Sequence, residues 1–373
     1  MKIPSSIESK LEKRKSQGLF RELLIFPDGI DFYSNDYLGF SRTVLKKNTN
    51  TFDSSLSLYS SGATGSRLIS GNSFFHEKAE LHLADFFNSE SALIFNSGYD
   101  ANIGLLSSIG GRNDIFIIDE LCHASIYDGC RLSLSKTYKF KHNDTTDLND
   151  LLEKNKNAEN IYVVIESVYS MDGDFAPLLE MTESCRHANV FFIVDEAHAT
   201  GIIGSEGKGM VHELKLQDKI FARIHTFGKA LGLHGACVLG SKQLRAFLIN
   251  FARSFIYTTA LPSQTIDQVI NALDVLQTTE EIQLLKKNID LFKKGIGENK
   301  SWIPSDSAIQ SIVVSGNENA EKFATHLMKN NFLVKAIKSP TVASGFERVR
   351  ICLHSFNTES EINKLLQCIA DFT

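Results

Sequence analysis

Short, uninterrupted apolar runs that recur between helical segments constrain the fold of this chain most. The clearest are IFIID (115–119), IYVVIES (161–167) and VFFIVD (190–195). Strands that are buried on both faces have such continuous apolar sequences, and parallel strands connected by helices are buried in this way. The alternation of strand and helix therefore predicts an α/β domain built around a mostly parallel sheet.

The same alternation extends on both sides of these runs. Further strands are predicted at ALIF (92–95), FARIHTF (221–227) and ACVLG (236–240). The helices predicted between the strands are HEKAELHLADFF (76–87), ASIYDGCRLSL (124–134), TTDLNDLLEKN (145–155) and APLLEMTESCRHA (176–188), the last with Pro177 in its first turn. Within the first 35 residues we expect an amphipathic helix and then a strand pair, ELLIF (22–26) and IDFYS (30–34), around the turn PDG.

The pattern changes near residue 262. Two long helices are predicted there, at 262–277 and 280–296. They are followed by three strands, at 308–316, 332–338 and 348–355, and by two more helices, at 319–330 and 358–372. Because 373 residues exceed one typical hydrophobic core, we expect more than one domain. The predicted division is an N-terminal arm (1–38), a large domain (39–262) and a small C-terminal α+β domain (263–373).

Charge and cysteine usage exclude several classes of protein. The formal net charge of −5 argues against a nucleic-acid partner. None of the six cysteines forms a CxxC pair, so neither a metal site nor a redox pair is expected. The first twenty residues lack the apolar core of a signal peptide, and no run approaches the ~18 apolar residues of a membrane span. We therefore expect a cytoplasmic protein.

Four predicted strand ends carry unusual chemistry, and ligands of parallel α/β sheets bind at the carboxyl ends of the strands. After ALIF, Ser97 is placed to cap a helix whose first N–H groups, on Gly98 and Tyr99, would suit a phosphate. After IFIID, the ring of His123 could stack on a planar ligand. Each feature alone also fits a plain strand–turn–helix junction or a structural histidine.

The other two strand ends carry opposite charges. Asp195 closes VFFIVD and His198 follows three residues later. A half-buried carboxylate there needs a cationic partner, either a metal or a protonated ring nitrogen. Lys229 follows FARIHTF, and Gly228 before it leaves room for a planar group. Shielded from water, this lysine would have a lowered pKa and act as an amine nucleophile, although the local sequence by itself favours a solvated loop lysine.

Together the four strand ends match one ligand, pyridoxal phosphate, which needs a lysine, a carboxylate for its ring nitrogen, a phosphate cradle and a stacking partner. The longer sequence runs agree with this prediction. The chain resembles the α-oxoamine synthase family of fold-type-I (aspartate aminotransferase-like) pyridoxal phosphate enzymes, in the class II aminotransferase group, nearly end to end. The runs that carry the resemblance are FYSNDYLGFS (32–41), YSSGATGSRLISGNSFFHEKAE (59–80), FNSGYDAN (95–102), DELCHASIYDG (119–129), ESVYSMDGDFAPL (166–178), VDEAHATGIIGSEGKG (194–209), HTFGKALGLHGA (225–236), FIYTTALP (255–262) and SPTVASGFERVRICL (339–353).

The resemblance implies a decarboxylative condensation of an amino acid with an acyl-CoA or another acyl thioester. It implies that Lys229 carries the cofactor, that Asp195 pairs with its ring nitrogen and that His198 bonds its phenolic oxygen. His123 would stack on the ring and touch the substrate. The remaining cofactor contacts that it implies are Ser170, Thr226 and the backbone of Gly98 and Tyr99. The substrate contacts that it implies are Asn35 and Arg350 at the amino-acid carboxylate, with Arg21 and Thr341 on the acyl side.

The resemblance also implies a homodimer in which Thr258 and Thr259 reach the phosphate of the neighbouring subunit's cofactor. Local sequence alone leaves open that they only cap the helix after Pro262. SGATGSRLISGN (61–72) looks most like the loop of the family member that uses alanine and a pimeloyl thioester. The alternatives within the family are glycine with acetyl- or succinyl-CoA, serine with palmitoyl-CoA and other medium-chain acyl thioesters. His234 stands where the family has small or varied residues.

Rival classes fit less well. DEAH (195–198) is the helicase-box string, but no Gly-Lys in the chain is followed by Ser or Thr, as a P-loop requires. A dinucleotide-binding dehydrogenase would need a GxGxxG motif, which SSGATGSRLISG (60–71) lacks. A non-catalytic binding protein on the same fold stays an alternative at this stage.

Overall fold

The computed structural model describes residues 3–23, 25, 28–43 and 62–372. Two compact units are found, one formed by residues 1–34 and 286–373 and the other by residues 35–285. We call them the outer unit and the sheet unit. The helix Ser263–Leu276 belongs to the sheet unit, where it contacts the helix Phe74–Phe86. The division into an arm and two domains drawn from the sequence stays a prediction.

The sheet unit is organised around a sheet of seven strands. In chain order they are β2 (Ser91–Phe95), β3 (Ile115–Asp119), β4 (Lys136–Phe140), β5 (Ile161–Glu166), β6 (Val190–Asp195), β7 (Ala222–Thr226) and β8 (Ala236–Gly240), after the short β1 (Ile30–Asp31) of the outer unit. The order across the sheet is β2-β8-β7-β6-β5-β3-β4, and only β8 runs against the others. The mostly parallel α/β sheet predicted from the apolar runs is confirmed.

Helices connect these strands. The helices of this unit are α2 (Phe74–Phe86), α3 (Gly98–Ile109), α4 (Ala124–Leu132), α5 (Thr145–Lys154), α6 (Leu178–Ser184), α7 (Met210–Glu213), α8 (Lys242–Phe251), α9 (Arg253–Ile256) and α10 (Ser263–Leu276). A π-helical turn, Arg67–Gly71, precedes α2. The helix predicted at 176–188 is shorter in the structure. It begins at Leu178, after Pro177 as its N-cap, and ends at Ser184.

The apolar strands are buried on both faces, as predicted. Successive residues of one strand belong to different hydrophobic clusters: Phe116 and Ile118 of β3 pack into one, and Ile115 and Ile117 into the other. Alternate strand residues point to opposite faces, so each face of the sheet has its own core. The continuous apolar runs follow directly from this double burial.

The outer unit contains the N-terminal helix and a small antiparallel sheet. Its helices are α1 (Ser5–Ser16), α12 (Asn317–Lys329) and α13 (Glu359–Ala370), and α11 (Glu281–Ile296) crosses the boundary between the units. Its remaining strands are β9 (Trp302–Ile303), β10 (Ile309–Val313), β11 (Phe332–Leu333), β12 (Lys335–Ile337) and β13 (Arg348–Cys352). The four-stranded sheet has the order β12-β13-β10-β9.

The predicted strand pair near the N-terminus is wrong. β1 covers only two residues of IDFYS and pairs in parallel with β11, not with ELLIF. Of ELLIF, residues 24 and 26 lie outside the described residues, and 22, 23 and 25 are not in a strand. The parallel partner is about 300 positions away along the chain, so local sequence held no sign of it.

Candidate active site

Five loops with chemically unusual residues emerge at one edge of the seven-stranded sheet. β2, β3, β5, β6 and β7 all run in the same direction, so their carboxyl ends lie together. The loops that follow them carry Ser97, His123, Ser170, His198 and Lys229, and Asp195 is the last residue of β6 itself. The sheet topology therefore brings the predicted cofactor-facing loops to one place, within the sheet unit.

Asp195 is hydrogen-bonded in the wall of this edge. It is the last residue of β6 and only 5% exposed. Its Oδ2 accepts a hydrogen bond from Nδ2 of Asn102 at 2.7 Å, and its Oδ1 accepts one from the backbone N–H of Ala197 at 2.9 Å. Both carboxylate oxygens thus face a hydrogen-bond donor, which fixes the orientation of the Asp195 side chain at the sheet edge.

A second buried carboxylate lies beside Asp195. Glu166 is the last residue of β5 and is in register with Asp195 on β6. Its Oε1 accepts a hydrogen bond from the backbone N–H of His123 at 2.5 Å. Burial, reinforced by the charge of Asp195, raises the pKa of Glu166 to about 8, while Lys229 opposes the rise. Sequence reasoning missed Glu166, although it is the last residue of an apolar strand, as Asp195 is.

Lys229 lies in the connection between β7 and β8 and is half-buried. Its carbonyl accepts a hydrogen bond from the N–H of Gly232 at 2.8 Å, which closes a tight turn. The positive charge of Lys229 lowers the pKa of both His123, which follows β3, and Glu166, which ends β5. Lys229 therefore acts on the same edge of the sheet as these two residues. The fully solvated loop lysine considered from the sequence does not describe this position.

The predicted anion cradle is formed at the start of α3. Ser97 is the N-cap, and its Oγ accepts a hydrogen bond from the N–H of Asp100 at 3.0 Å. The N–H groups of Gly98 and Tyr99 have no hydrogen-bond partner among the described residues. A Cβ placed on Gly98 would lie 3.6 Å from Oγ1 of Thr226, so that hydroxyl is next to the helix terminus. N–H groups, a helix dipole and a hydroxyl together suit a phosphate.

His198 is connected to Asn35 through a tyrosine. The hydroxyl of Tyr37 lies 2.8 Å from Nδ1 of His198 and donates to Oδ1 of Asn35 at 3.2 Å. Tyr37 is fully buried, so its position is held by packing as well as by these bonds. The sequence analysis did not single out Tyr37, although it lies inside the run FYSNDYLGFS.

Thr258 and Thr259 lie next to the loop that holds the anion cradle. Nδ2 of Asn96 donates to Oγ1 of Thr258 at 3.0 Å and to the carbonyl of Thr259 at 2.9 Å, within the same chain. The helix α10 is capped by Pro262 without a side-chain hydrogen bond, so the threonines do not cap it. That alternative is therefore wrong, while the predicted cross-subunit contact stays a prediction.

The remaining predicted substrate contacts belong to the outer unit. Arg350 lies in β13, paired in register with Ser311 and Lys335. Thr341 is exposed in the turn before β13, and Arg21 is exposed after α1. Their predicted roles stay predictions.

The donor set at the sheet edge fits pyridoxal phosphate. Lys229 offers an amine for the aldehyde, the hydrogen-bonded carboxylate of Asp195 suits a pyridinium nitrogen, and the start of α3 suits the phosphate. Among the described residues, no group of three or more His, Cys, Asp or Glu side chains could hold a metal ion. In the same part of the chain, no helix is both long enough and apolar enough to cross a membrane. Fold and site thus define a fold-type-I pyridoxal phosphate-dependent transferase.

Comparisons with known proteins specify the family. The model of the class I and II aminotransferases matches residues 27–369. The 8-amino-7-oxononanoate synthase of Emericella nidulans is 39% identical over 99% of this chain and 95% of its own length. That of Lysinibacillus sphaericus is 34% identical over 96% of each chain.

Solved structures agree with these relatives. The serine palmitoyltransferase of Sphingomonas wittichii matches with a TM-score of 0.87, at 25% identity over 98% of this chain and 96% of its own. The 8-amino-7-oxononanoate synthase of Francisella tularensis matches with a TM-score of 0.76, at 27% identity over 92% of this chain and 97% of its own. The chain belongs to the class I and II aminotransferase family, and within it to the α-oxoamine synthases. It is a pyridoxal phosphate-dependent acyltransferase that resembles 8-amino-7-oxononanoate synthase.

Proposed function

We propose that this enzyme condenses L-alanine with a pimeloyl thioester and releases 8-amino-7-oxononanoate, carbon dioxide and the thiol carrier, CoA or an acyl-carrier protein. This is a step of biotin biosynthesis. The observation that carries the proposal is the meeting of Asp195, Lys229 and His123 at one sheet edge in a chain whose relatives bear that enzyme's name. Other amino acids and acyl donors used within the family are the competing assignments.

The cofactor is held by residues of the sheet unit in this proposal. Lys229 carries it, Asp195 holds a proton at its ring nitrogen, and His198 hydrogen-bonds its phenolic oxygen. His123, an exposed residue, stacks on the cofactor ring. The phosphate is bound by the start of α3, with help from the hydroxyl of Thr226, and Ser170 completes the contacts.

Pyridoxal phosphate supplies an electron sink that stabilises negative charge at the α-carbon of the amino acid. The protein's own contribution is proton transfer and orientation. The amine of Lys229, released when substrate binds, removes the α-proton as general base. The α-carbon then attacks the acyl thioester and the thiolate leaves, after which the original carboxylate departs as carbon dioxide. A hydrogen bond from His123 or His198 assists the decarboxylation, and Lys229 returns a proton to the α-carbon.

Substrate binding needs cations for two carboxylates if pimeloyl is the acyl group. Arg350 and Asn35 bind the carboxylate of the amino acid in this proposal. Arg21 and Thr341 line the acyl side, where the guanidinium of Arg21 would pair with the distal carboxylate of a pimeloyl chain.

We also propose a homodimer with shared active sites. Large apolar side chains are exposed on the sheet unit and would be covered by a second copy. They include Ile69 (85% exposed), Phe74 (75%), Leu81 (73%) and Tyr257 (72%). Tyr257 immediately precedes Thr258, and α9 contacts the π-helical turn that contains Ile69. Exposed apolar surface of this kind marks an interaction face.

A substrate panel tests the proposed reaction. The purified holoenzyme is assayed for release of free thiol with alanine, glycine and serine against acetyl-, succinyl-, pimeloyl- and palmitoyl-CoA, and with pimeloyl-acyl-carrier protein. We expect the highest kcat/KM for alanine with a pimeloyl donor. A higher value for glycine or serine with any other donor would assign the enzyme to another member of the family.

A further inference from the structure

A hydrogen-bonded chain links Asp195, at the end of β6, to His123, at the start of α4, through one side chain of α3 and one of α4. Nδ2 of Asn102 donates both to Oδ2 of Asp195, at 2.7 Å, and to Oγ of Ser125, at 3.0 Å. Oγ of Ser125 in turn lies 2.8 Å from Nδ1 of His123. Asn102 and Ser125 are both buried, and neither has a place in the cofactor contacts described above.

The direction of each hydrogen bond in this chain can be worked out from its donors. The amide of Asn102 can only donate through Nδ2, so Oγ of Ser125 accepts there and has its own proton left to donate to Nδ1 of His123. The backbone N–H of Ser125 also lies 3.2 Å from Nδ1 of His123, and a backbone N–H can only donate. Nδ1 therefore accepts from two donors and carries no proton.

A histidine whose Nδ1 only accepts has its proton on Nε2 and is neutral. Nε2 of His123 has no hydrogen-bond partner among the described residues, and His123 as a whole is an exposed residue. Desolvation lowers the pKa of His123, the charge of Lys229 acts in the same direction, and Asp195 and Asp128 oppose them. The geometry and the electrostatics agree on a neutral ring that presents an N–H to a ligand.

We propose that Asn102 and Ser125 are positioning residues that hold His123 as a neutral imidazole with its proton on Nε2, so that this nitrogen donates a hydrogen bond into the site. The same Asn102 amide orients the carboxylate of Asp195, so one side chain positions both groups. The tautomer of His123 does not depend on the proposed function. Only its consequence rests on that function, namely that Nε2 of His123 donates to the substrate carboxylate or to the thioester oxygen.

The state of His123 can be measured without any turnover. Protein labelled with ¹⁵N in its histidine rings is compared with the His123→Gln variant to assign the ring signals, first without cofactor. We expect the wild-type ring to show the Nε2–H tautomer at neutral pH. An Nδ1–H tautomer, or an imidazolium at neutral pH, would overturn the proposal whatever the variants do.

Two variants then test the positioning chain. Ser125→Ala removes the hydroxyl donor and Asn102→Ala removes the group that orients it, so in both the pKa of His123 should rise towards its ordinary value. In the holoenzyme, kcat should fall by about tenfold to a hundredfold, the loss seen when a residue that orients a metal-ligating histidine is removed. The acid limb of the kcat/KM profile should move to higher pH.

Ser133→Ala is the matched control, because Ser133 caps the other end of the same helix and its Oγ donates to the carbonyl of Cys130 at 2.6 Å. It should leave both the His123 signals and the pH profile unchanged. Unchanged His123 signals in folded Ser125→Ala and Asn102→Ala proteins would refute the positioning role. If only the proposed reaction is wrong, turnover with alanine and a pimeloyl donor will be absent. The His123 signals will then still show the Nε2–H tautomer, so the two failures can be told apart.

Discussion

Replacing Asp195 with asparagine tests the central electrostatic feature of the site. Two different donors reach the carboxylate, Nδ2 of Asn102 at Oδ2 and the backbone N–H of Ala197 at Oδ1. An ionised carboxylate accepts at both oxygens, whereas an amide has one oxygen and one NH₂. Asp195→Asn therefore places a donor against a donor unless the amide of Asn102 also turns over, which would end its donation to Oγ of Ser125.

The magnitude follows from burial. Asp195 is 5% exposed, so water cannot replace the lost acceptor. A buried donor that is left unsatisfied costs about 1–3 kcal/mol, which is smaller than the ~5–15 kcal/mol stability of a typical domain. The variant should thus fold with a lower free energy of unfolding. Loss of the negative charge should reduce kcat by roughly 10²–10³-fold, as removal of one preorganised electrostatic group does.

Two measurements separate these effects. Urea unfolding of the cofactor-free proteins gives the change in free energy, and exchange of the α-proton of alanine with solvent in the holoenzymes follows the step that needs the electron sink. Asp144→Asn is a suitable control, because Asp144 also accepts two hydrogen bonds but as the half-buried N-cap of α5, where asparagine is equally effective. Near-normal exchange in Asp195→Asn would refute the role at the ring nitrogen, and an unchanged unfolding free energy would refute the two-donor argument.

Three further predictions concern the cofactor lysine, the dimer and the second buried carboxylate. Lys229→Ala should abolish turnover, and borohydride reduction with peptide mapping should find the cofactor on Lys229 in the wild type; a label on Lys208 would overturn the assignment. Mixing Lys229→Ala with a Thr258→Ala/Thr259→Ala double variant under subunit exchange should restore activity, because one site of the heterodimer then has neither defect; no recovery despite exchange verified by mass would show that the threonines act within their own subunit. Because the pKa of Glu166 is raised to about 8, chiefly by burial, its stabilising contribution is complete below pH ~4.5 and is lost as the pH rises through about 8. The unfolding free energy of Glu166→Gln should therefore rise relative to that of the wild type as the pH goes from 5 to 9, by at most about 5 kcal/mol at ~1.36 kcal/mol per pH unit. A difference between the two proteins that is the same at pH 5 and at pH 9 would contradict this prediction.

Elements with a complete local signal were predictable from the sequence. β3, β5 and β6 are buried on both faces and have continuous apolar sequences that only a central strand needs. β4 was missed, because KTYKF (136–140) lies at the edge of the sheet and is mostly exposed, so its sequence is that of a solvated segment. β1 was extended too far and wrongly paired, since its partner β11 is distant along the chain.

The active-site residues divide in the same way. Ser97, His123, Asp195 and Lys229 could be found because each follows an apolar strand, and the common direction of those strands brings their ends together. The residues that orient them gave no such signal: Tyr37 meets His198 from 161 positions away, and Asn102 meets Asp195 from 93. Chain composition and strand order thus determined the class of fold and the chemical groups at the sheet edge. Only the tertiary structure decided which partner each group has, because hydrogen bonds act over about 3 Å and depend on side chains that the sequence places far apart.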